Sequence, residues 1–393
     1  MQLGIFGGCF DPPHRGHMAV VEAALRTAGL DQVLVIPAAI ASGREPGIIA
    51  SSSDRINMCR LCFNGDPRIS VSDIEAYRNE WTPTISTVER LIKQMKHNDQ
   101  LTVIIGADKL PTLHQWKRAK DLFALCDILV YPRQGMNTAQ YVNELSTLGA
   151  RIRLLDVPEV PGASSQVQQS LKRYESPSEL IPEVTSYIAE HWLYMDPAIL
   201  NVEHMMSPKR WKHTLGVRQE AVRLAALHDG INTLEAALAA TLHDSAKCLP
   251  FETMLNYAHK AGISDPTFLS SSAMLHGPVG AYIAKTQFFV EQEDVLNAIT
   301  YHTVGRAKMS KLEQCIFVAD ATEPGREQYP GLKRLRKLAD RSLEAAILLS
   351  LNLTKQYVLS TGKPFNPISE ETVRWVRPLV PADLRPLTVT GLY

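Results

Sequence analysis

A short segment near the N-terminus has residue types and spacing suited to binding phosphate. The segment GGCFDPPHRGH spans residues 7–17 and carries the adjacent glycines Gly7 and Gly8 and the histidines His14 and His17. Glycines that follow a strand let backbone N–H groups approach a phosphate, and a helix N-terminus adds a favourable dipole. Two histidines one helical turn apart can both donate to charge that develops during nucleotidyl transfer. The segment predicts a nucleotide-phosphate site that works by positioning and electrostatics, without a protein nucleophile.

A second set of residues, spread through the second half of the chain, has the composition of a metal site. Its histidines and aspartates recur in apolar or helical surroundings: His213, His243, Asp244, His276, His302 and Asp320. A polar side chain on the buried face of a helix needs a partner, and several that converge inside a bundle can share metal ions. Imidazole mixed with carboxylate suits iron, manganese or zinc better than calcium. The set therefore predicts a metal centre.

Length and composition are those of an ordinary globular protein with two domains. The chain has 393 residues, of which 45% are hydrophobic and 21% are charged. Lys+Arg and Asp+Glu both number 41, so the chain has no excess of positive charge that would favour binding to nucleic acid or to a membrane surface. The sequence shows neither a long apolar run nor a signal peptide, and its cysteines lack a disulfide-framework spacing. We expect a cytoplasmic protein that contacts neither nucleic acid nor membrane.

The elements that must position the first site alternate between strand and helix. Short apolar, β-branched runs predict strands: LGIFG, QVLVIPA, LTVIIGA, DILVYP and RIRLLDVP. Helical periodicity separates them, as in MAVVEAALRTAG and TISTVERLIKQMK. The alternation indicates βαβ units and a doubly wound parallel sheet over residues 1–194. Ligands bind at the carboxyl ends of such strands, where the glycine turn must lie.

The second half changes to helical patterns alone. Segments such as WKHTLGVRQEAVRLAALH, TLEAALAATLHDSAK and EDVLNAITYHT suit helices, and no strand pattern competes with them. The predicted fold class is therefore α/β plus all-α, with an α/β domain over residues 1–194 and a helical bundle over residues 195–393.

One cysteine pair needs a separate interpretation. Cys59 and Cys62 form an isolated CxxC within DRINMCRLCF, which has the pattern of an amphipathic helix. A zinc site needs a second pair, and none follows at a suitable spacing. We therefore expect two small buried side chains.

The first half resembles the nicotinate-nucleotide adenylyltransferases. His14-Arg15-Gly16-His17 matches the His-x-Gly-His signature of the nucleotidyltransferase superfamily. Three further stretches narrow the resemblance: SDRINMCRL, VSDIEAYRNEWTPTISTVERL and IIGADKLPTLHQWKRAKDLFALCDILVYPRQG. The resemblance covers about residues 1–194. It implies transfer of AMP from ATP to nicotinate mononucleotide with release of pyrophosphate, and Mg²⁺ bound with the ATP.

The same resemblance implies which residues bind the two nucleotides. The ATP-binding residues would be Gly7, Gly8, Cys9, Phe10, His14, His17, Gly106, Asp108, Ser164 and Ser165, with His14 and His17 catalytic. The second nucleotide would contact Thr84, Trp116 and Arg133, with Trp116 stacked on the pyridine ring.

Two positions depart from this family pattern. A Pro-x-His-Lys after the second strand is replaced by PAAIASGREP, which offers only Arg44, and Gln169 stands at the position of an arginine. Loss of a preorganised cation can cost about 2.7–4 kcal/mol of transition-state stabilisation. Lys172 or Arg44 can substitute. A weakened adenylyltransferase, or a nucleotide sensor that regulates the second half, is therefore an alternative.

The second half resembles the HD-domain metal-dependent phosphohydrolases. Several segments resemble the HD-type symmetrical diadenosine tetraphosphatases over about residues 200–375. These segments are HTLGV, LHDSAK, LHGPVGAYIAK, HTVGRAKMS and VADATEPGREQYP. The resemblance implies cleavage of diadenosine tetraphosphate to two ADP at a metal pair, with iron as the metal and manganese or zinc as alternatives. Asp244 would bridge the metals, Lys247 would act in catalysis, and Arg326 would bind substrate phosphate. Glu323 is a weaker candidate for orienting water.

The expected partners are small-molecule nucleotides: ATP, nicotinate mononucleotide and diadenosine tetraphosphate. Guanosine alarmones are an alternative substrate class for the second half. The sequence leaves homo-oligomerisation open.

Overall fold

The chain is divided into two compact units. The computed structural model describes residues 1–38, 49–76, 81–133, 136–157 and 164–389. The first unit comprises Met1–Arg173 and Pro177–Tyr187, and the second comprises Tyr174–Ser176 and Ile188–Tyr393. The expected domain boundary at residue 194 stays a prediction.

The first unit is built on a parallel sheet. Within the described residues its six strands are β1 (Gln2–Gly8), β2 (Gln32–Pro37), β3 (Ile69–Val71), β4 (Gln100–Gly106), β5 (Asp127–Tyr131) and β6 (Ile152–Leu154). Their order in the sheet is β3-β2-β1-β4-β5-β6. β1 pairs with both β2 and β4, so the chain direction across the sheet reverses beside β1. Ligands of doubly wound sheets bind at this switch point.

Helices join the strands of this unit or follow the last of them, and the final helix of the series ends within the second unit. They are α1 (Arg15–Thr27), α2 (Ser52–Cys62), α3 (Thr84–Ile92), α4 (Ala119–Leu125), α5 (Ala139–Thr147), α6 (Ser164–Lys172) and α7 (Pro182–His191). A 3₁₀ segment follows β4 over Ala107–Gln115. The residues Leu101–Gly106 of β4 are buried in succession because helices cover a parallel sheet on both faces.

The second unit is helical. Its helices are α8 (Pro208–Leu227), α9 (Thr233–Leu242), α10 (Phe251–Ala261), α11 (Ser272–Gln287), α12 (Glu293–Tyr301), α13 (Lys311–Thr322), α14 (Leu332–Ala339), α15 (Leu343–Ser360) and α16 (Pro367–Val376). No strand occurs in it among residues 188–389. α9 is buried at Leu234 and from Ala236 to Leu242, so it brings His243 and Asp244 into the interior. The predicted α/β plus all-α fold class is confirmed.

Two local features bear on the sequence interpretation. The strand patterns missed β3, which has only three residues at the sheet edge and too short a run to show alternation. Cys59 and Cys62 are buried in α2, and burial raises the pKa of Cys62 to about 12. Both are neutral thiols, as the isolated CxxC predicted. Within the described ranges, no helix combines the length and apolar character needed to cross a membrane.

Candidate active sites

The loop between β1 and α1 places both N-terminal histidines at the start of α1. The backbone N–H of His14 donates to Nδ1 of His17 at 3.2 Å. The two rings stack with their centroids 3.8 Å apart. Nδ1 of His14 is buried and makes no hydrogen bond within the described part of the chain. A buried imidazole nitrogen without a partner beside a helix N-terminus is available to a phosphate oxygen.

Both histidines are neutral near pH 7. Burial and the charge of Arg133 lower the pKa of His14 to about 4, against an opposing effect of Glu179. Desolvation lowers the pKa of His17 well below its usual range, and His14 and Arg133 lower it further. A neutral imidazole keeps one N–H donor, so each ring can donate to an anionic oxygen without first gaining a proton.

Buried groups fix the shape of this loop. Phe10 has a positive φ of 50° and packs its ring against His17, with centroids 4.9 Å apart. The carbonyl of Cys9 accepts a hydrogen bond from Nη1 of Arg55 at 2.7 Å, and Arg55 is fully buried. The arginine of the SDRINMCRL stretch thus supports the loop backbone, a role that the sequence did not assign.

Helix α6 contacts the same loop. Oγ of Ser164 donates to the carbonyl of Pro12 at 3.3 Å. Nε2 of Gln168 donates to the carbonyl of Asp11 at 2.6 Å. Ser165 and Gln169 are exposed on this helix. The structure therefore brings Ser164 to the loop and leaves Ser165 accessible to solvent.

The strand ends carry the remaining residues predicted to bind ATP. Gly7 and Gly8 end β1, and Gly106 ends the neighbouring β4. A Cβ at Gly106 would collide with Oδ1 of Asp108 and lie 3.1 Å from the hydroxyl of Tyr131. Glycine at this position thus lets the side chains of Asp108 and Tyr131 approach the backbone closely.

A small charged group lies beside Gly106. Asp108 pairs with Lys109 at 3.2 Å and with Arg133 at 3.5 Å, and Arg133 reaches the hydroxyl of Tyr131 at 3.2 Å. Arg133 also contributes to the low pKa of both histidines, so it acts electrostatically on the loop. These contacts place a cation at the sheet edge where a nucleotide would bind.

Two residues predicted to contact the second nucleotide lie on other elements. Thr84 is half-buried at the start of α3. Trp116 follows the 3₁₀ segment and packs, half-buried, against the hydrophobic core of the sheet. Their contact with a pyridine nucleotide stays a prediction. Arg44 lies outside the described residues.

The second site is centred on Asp244. Its Oδ1 lies 3.3 Å from Nε2 of His276 and 3.7 Å from Nε2 of His302. Its Oδ2 lies 3.3 Å from Nε2 of His243 and 3.8 Å from Nε2 of His213. Each oxygen of this carboxylate thus faces its own pair of imidazoles. The structure brings these predicted residues together.

The imidazoles are oriented by hydrogen bonds from their other nitrogens. Nδ1 of His243 and of His302 each lie 2.7 Å from a carbonyl, of Ala240 and Ile299 respectively. Nδ1 of His276 lies 3.2 Å from the carbonyl of Ser272. A carbonyl only accepts, so each Nδ1 carries a proton, and each Nε2 points towards Asp244, where a neutral ring would use it to coordinate a metal ion.

The donor set fits divalent metal ions. Nε2 of His213 and of His243 are buried and make no hydrogen bond within the described ranges. Nε2 of His276 and His302 lie 3.1 Å apart, close enough for one cation to bind both. Two groups of three residues each have all their ligand atoms within 4.8 Å of one another. One group is His213, His243 and Asp244, and the other is Asp244, His276 and His302.

Carboxylates and flanking cations complete the charge distribution. Desolvation raises the pKa of Asp244, yet the surrounding histidines hold it well below its usual value. Oδ1 of Asp320 lies 3.1 Å from Nε2 of His213 and 3.3 Å from Nη2 of Arg326. Nζ of Lys247 lies 3.3 Å from Nε2 of His276, and burial lowers its pKa. The predicted cations therefore border the cluster on two sides.

Comparison with known proteins gives the family. A cytidylyltransferase-like family model matches residues 5–166, and an HD domain model matches residues 210–325. A Mycoplasma pneumoniae protein named "Probable nicotinate-nucleotide adenylyltransferase/Ap4A hydrolase" is 31% identical over 366 residues, which cover 91% of this chain and 99% of the relative. The chain belongs to this adenylyltransferase/Ap4A hydrolase family.

Other relatives match one half of the adenylyltransferase/Ap4A hydrolase chain each. A Carboxydothermus hydrogenoformans protein named "Probable nicotinate-nucleotide adenylyltransferase" is 36% identical over 49% of this chain and 98% of its own length. A Bacillus subtilis protein named "Bis(5'-nucleosyl)-tetraphosphatase, symmetrical" is 34% identical over 46% of this chain and 96% of its own length. Both resemblances inferred from the sequence motifs are confirmed.

Sequence reasoning missed one contact in the hydrolase half of this family member. Nη1 of Arg210 lies 2.8 Å from Oδ2 of Asp244, so a cation reaches the central carboxylate directly. Arg210 precedes His213 by three residues on α8 and so shares its helical face. That spacing was the available signal.

Glu323 has a different environment from the one expected of a residue that orients water. Its Oε1 lies 3.2 Å from Nδ1 of His213, and its other oxygen accepts from the N–H of Gly325. A Cβ at Gly216 would lie 2.6 Å from Oε2 of Glu323, so the glycine of HTLGV makes room for this carboxylate. Glu323 orients His213 as the carbonyls orient the other imidazoles.

Proposed function

We propose that this chain is a bifunctional enzyme of adenine-nucleotide chemistry. Its first domain, residues 1–194, transfers AMP from ATP to nicotinate mononucleotide. Its second domain, residues 195–393, hydrolyses diadenosine tetraphosphate symmetrically to two ADP. The observation that carries the proposal is the pair of ligand groups that share Asp244, in a chain whose relatives combine the same two activities by name.

In adenylyl transfer, the chain positions two nucleotides and stabilises charge. A phosphate oxygen of nicotinate mononucleotide attacks the α-phosphorus of ATP, and the bond to the β-phosphate oxygen breaks to release pyrophosphate. His14 and His17 donate N–H groups to the phosphates at the N-terminus of α1. Mg²⁺ bound with ATP supplies further neutralisation of the triphosphate.

The remaining residues of the first domain bind and orient the substrates. The loop and the strand ends hold ATP through Gly7, Gly8, Cys9, Phe10, Gly106, Asp108, Ser164 and Ser165. Thr84, Trp116 and Arg133 hold nicotinate mononucleotide. Because catalysis of phosphoryl-group chemistry rests on positioning, no residue has to form a covalent intermediate.

In hydrolysis, the buried cluster would hold two divalent ions. His213, His243 and Asp320 lie on one side of Asp244, and His276 and His302 lie on the other, so Asp244 would be the shared ligand. Bound ions supply an activated water at neutral pH and neutralise phosphate oxygens. We propose iron as the metal, with manganese and zinc as alternatives for this imidazole and carboxylate set.

The chain's own cations act on the substrate. Lys247 and Arg326 border the cluster and would neutralise the phosphates that leave as ADP. Asp244 and Asp320 remain ionised because neighbouring histidines oppose the effect of desolvation on their pKa. All proposed substrates are small nucleotides, and we propose that the enzyme is cytoplasmic.

The test assays both reactions on the full chain and on two variants. We expect wild type to form nicotinate adenine dinucleotide and pyrophosphate, and to yield ADP alone from diadenosine tetraphosphate. His14→Ala should abolish only the transfer, and His243→Ala should abolish only the hydrolysis. Products other than ADP, or a better turnover of guanosine alarmones, would refute the proposed hydrolase substrate.

A second candidate function for the first domain follows from Gln169. This side chain is exposed on α6 at the position where the adenylyltransferase pattern has an arginine. The missing cation favours a weakened enzyme or a nucleotide sensor. A sensor predicts that nicotinate mononucleotide changes the rate of hydrolysis without being consumed, whereas an enzyme predicts its conversion in the presence of ATP.

A further inference from the structure

A large groove in the second unit adjoins the candidate metal cluster, which is the set of histidines and aspartates around Asp244. It has a volume of about 1520 Å³, and His213, Glu323 and Arg326 line one part of it. Pockets for a single small ligand commonly have volumes of about 300–1,000 Å³. The groove is therefore larger than one mononucleotide requires, and it extends away from the residues around Asp244.

One face of α15 forms another wall of this groove. Its lining residues follow helical spacing: Ser350, Leu353, Thr354, Tyr357 and Ser360. Tyr357 is 70% exposed, so its ring is not part of the core. An exposed aromatic ring on the wall of a groove is a surface on which a nucleobase can stack.

The loop that joins α13 to α14 connects the cluster to this wall. Arg326 in the loop pairs with Asp320, and the same arginine influences the pKa of Tyr329, which burial raises. At the end of the loop, Gly331 has a φ of 98°, and a Cβ there would lie 2.8 Å from Leu353. The loop is thus packed against α15, which fixes the wall relative to the metal cluster.

The groove carries an excess of cations. Lys209, Arg210, Lys212 and Arg326 line it, against two carboxylates, Glu323 and Glu327. Glu323 is 3% exposed and is engaged by His213 and Gly325. Lys209 and Glu327 lie 3.7 Å apart, but both side chains are 92% exposed, so this pair is worth little. Arg210 and Arg326 are themselves paired with Asp244 and Asp320, so Lys212 is the lining cation for which the described residues provide no ion pair. Phosphates that lie along the groove would meet its positive charge.

We infer that this groove binds one complete nucleoside of a dinucleoside polyphosphate, with its base stacked on Tyr357 and its phosphates neutralised by Lys212. The inference rests on the proposed hydrolase and deepens it. A linear substrate cleaved at its centre has a nucleoside on each side of the scissile bond. The groove supplies a site for one of them, and it selects substrates with two nucleosides over single nucleotides.

The experiment measures kcat and KM for diadenosine tetraphosphate in three variants of the full chain. Tyr357→Ala should raise KM about tenfold or more with kcat retained, because a lost base–aromatic stack weakens binding before the chemical step. Tyr357→Phe keeps the ring and should restore KM to within about twofold. Leu359→Ala is the matched control, since Leu359 is 54% exposed on α15 and does not line the groove.

The outcomes separate this inference from the proposed function. A wild-type chain that fails to hydrolyse diadenosine tetraphosphate overturns the proposed function and the inference with it. A wild-type chain that hydrolyses it, with an unchanged KM in Tyr357→Ala, overturns the inference alone. Equal impairment in Tyr357→Phe and Tyr357→Ala also overturns it, because the hydroxyl rather than the ring would then make the contact.

Discussion

The two candidate sites of this chain handle phosphate in different ways. The first is assembled around one continuous loop over residues 7–17, where glycine backbone and two neutral histidines face the end of a sheet. The second draws histidines and carboxylates from segments that are distant in sequence, around the shared carboxylate of Asp244. The first relies on cations that arrive with the nucleotide, whereas the second has the ligands to retain its own.

The two sites are also supported differently. Side chains hold the backbone of the first loop, as Arg55 does at Cys9 and Gln168 does at Asp11. In the second site, carbonyl groups and Glu323 hold the imidazole rings themselves. Substitutions within one site should therefore affect one activity at a time.

The largest effect is expected at the shared carboxylate. Asp244→Asn should lower hydrolysis by at least about a thousandfold, since metal ions supply several kcal/mol of transition-state stabilisation. Metal bound per chain, measured by plasma mass spectrometry, should fall with it, and adenylyl transfer should stay within about twofold of wild type. Asp229→Asn, at an exposed position in the same unit, is the control. Retained metal and hydrolysis in Asp244→Asn would contradict the shared role.

At the N-terminal loop, a substitution is expected to impair adenylyl transfer and to leave hydrolysis intact. His14→Ala should lower adenylyl transfer by about a hundredfold to a thousandfold, the cost of one preorganised donor to developing charge. Hydrolysis and metal content should not change. His97→Ala, which removes an exposed histidine from the same unit, should leave both reactions intact. A comparable loss of transfer in His97→Ala would mean that the first site has been misplaced.

The pH dependence of stability should also differ between the sites. His14 has a pKa of about 4 in the native chain, against about 6.5 when unfolded. Between these values the unfolded chain binds the extra proton, so the free energy of unfolding falls as pH drops from about 6.5 towards 4, by at most about 3 kcal/mol. The contribution is fully present above pH 6.5.

Hydrogen exchange of peptides from β1, corrected for intrinsic rates, measures this dependence. His14→Gln should reduce its slope between pH 6.5 and 4, leaving the part due to His17. The matched substitution His97→Gln should not. An identical slope in wild type and His14→Gln would show that burial does not keep His14 neutral.

A smaller effect is expected at Glu323. Glu323→Gln removes the charge beside Nδ1 of His213, and loss of such an orienting group typically costs about 10–100-fold in metal affinity. The metal concentration that restores half of the hydrolysis should rise accordingly. Glu291→Gln, at an exposed position, is the control. An unchanged metal titration with reduced kcat would instead support a direct role of Glu323 on water.

The sequence indicated where the first candidate site lies because its signature is contiguous. The glycines, the prolines and both histidines occupy one short stretch, and α1 begins at Arg15 within it. The role of Arg55 was not visible, because a buried arginine that holds a distant carbonyl has no local pattern. The strand β3 was missed for a related reason, since three residues show no period.

The second site was predicted as a set of residue types, without its geometry. The motifs named the histidines and aspartates, but which imidazoles share which oxygen of Asp244 depends on how α8, α11, α12 and α13 pack. Arg210 was missed, and the contact of Glu323 with His213 was not predicted, because their partners, Asp244 and His213, are set by tertiary contacts. The sequence motifs indicate which residues are candidate metal ligands, whereas helix packing decides which imidazole lies near which oxygen of Asp244.

The most direct test of the account is anomalous diffraction from crystals of the metal-loaded full chain. The account predicts two peaks on opposite sides of Asp244, one bound by His213 and His243 and the other by His276 and His302. A single peak, or two peaks that do not share Asp244, would contradict it.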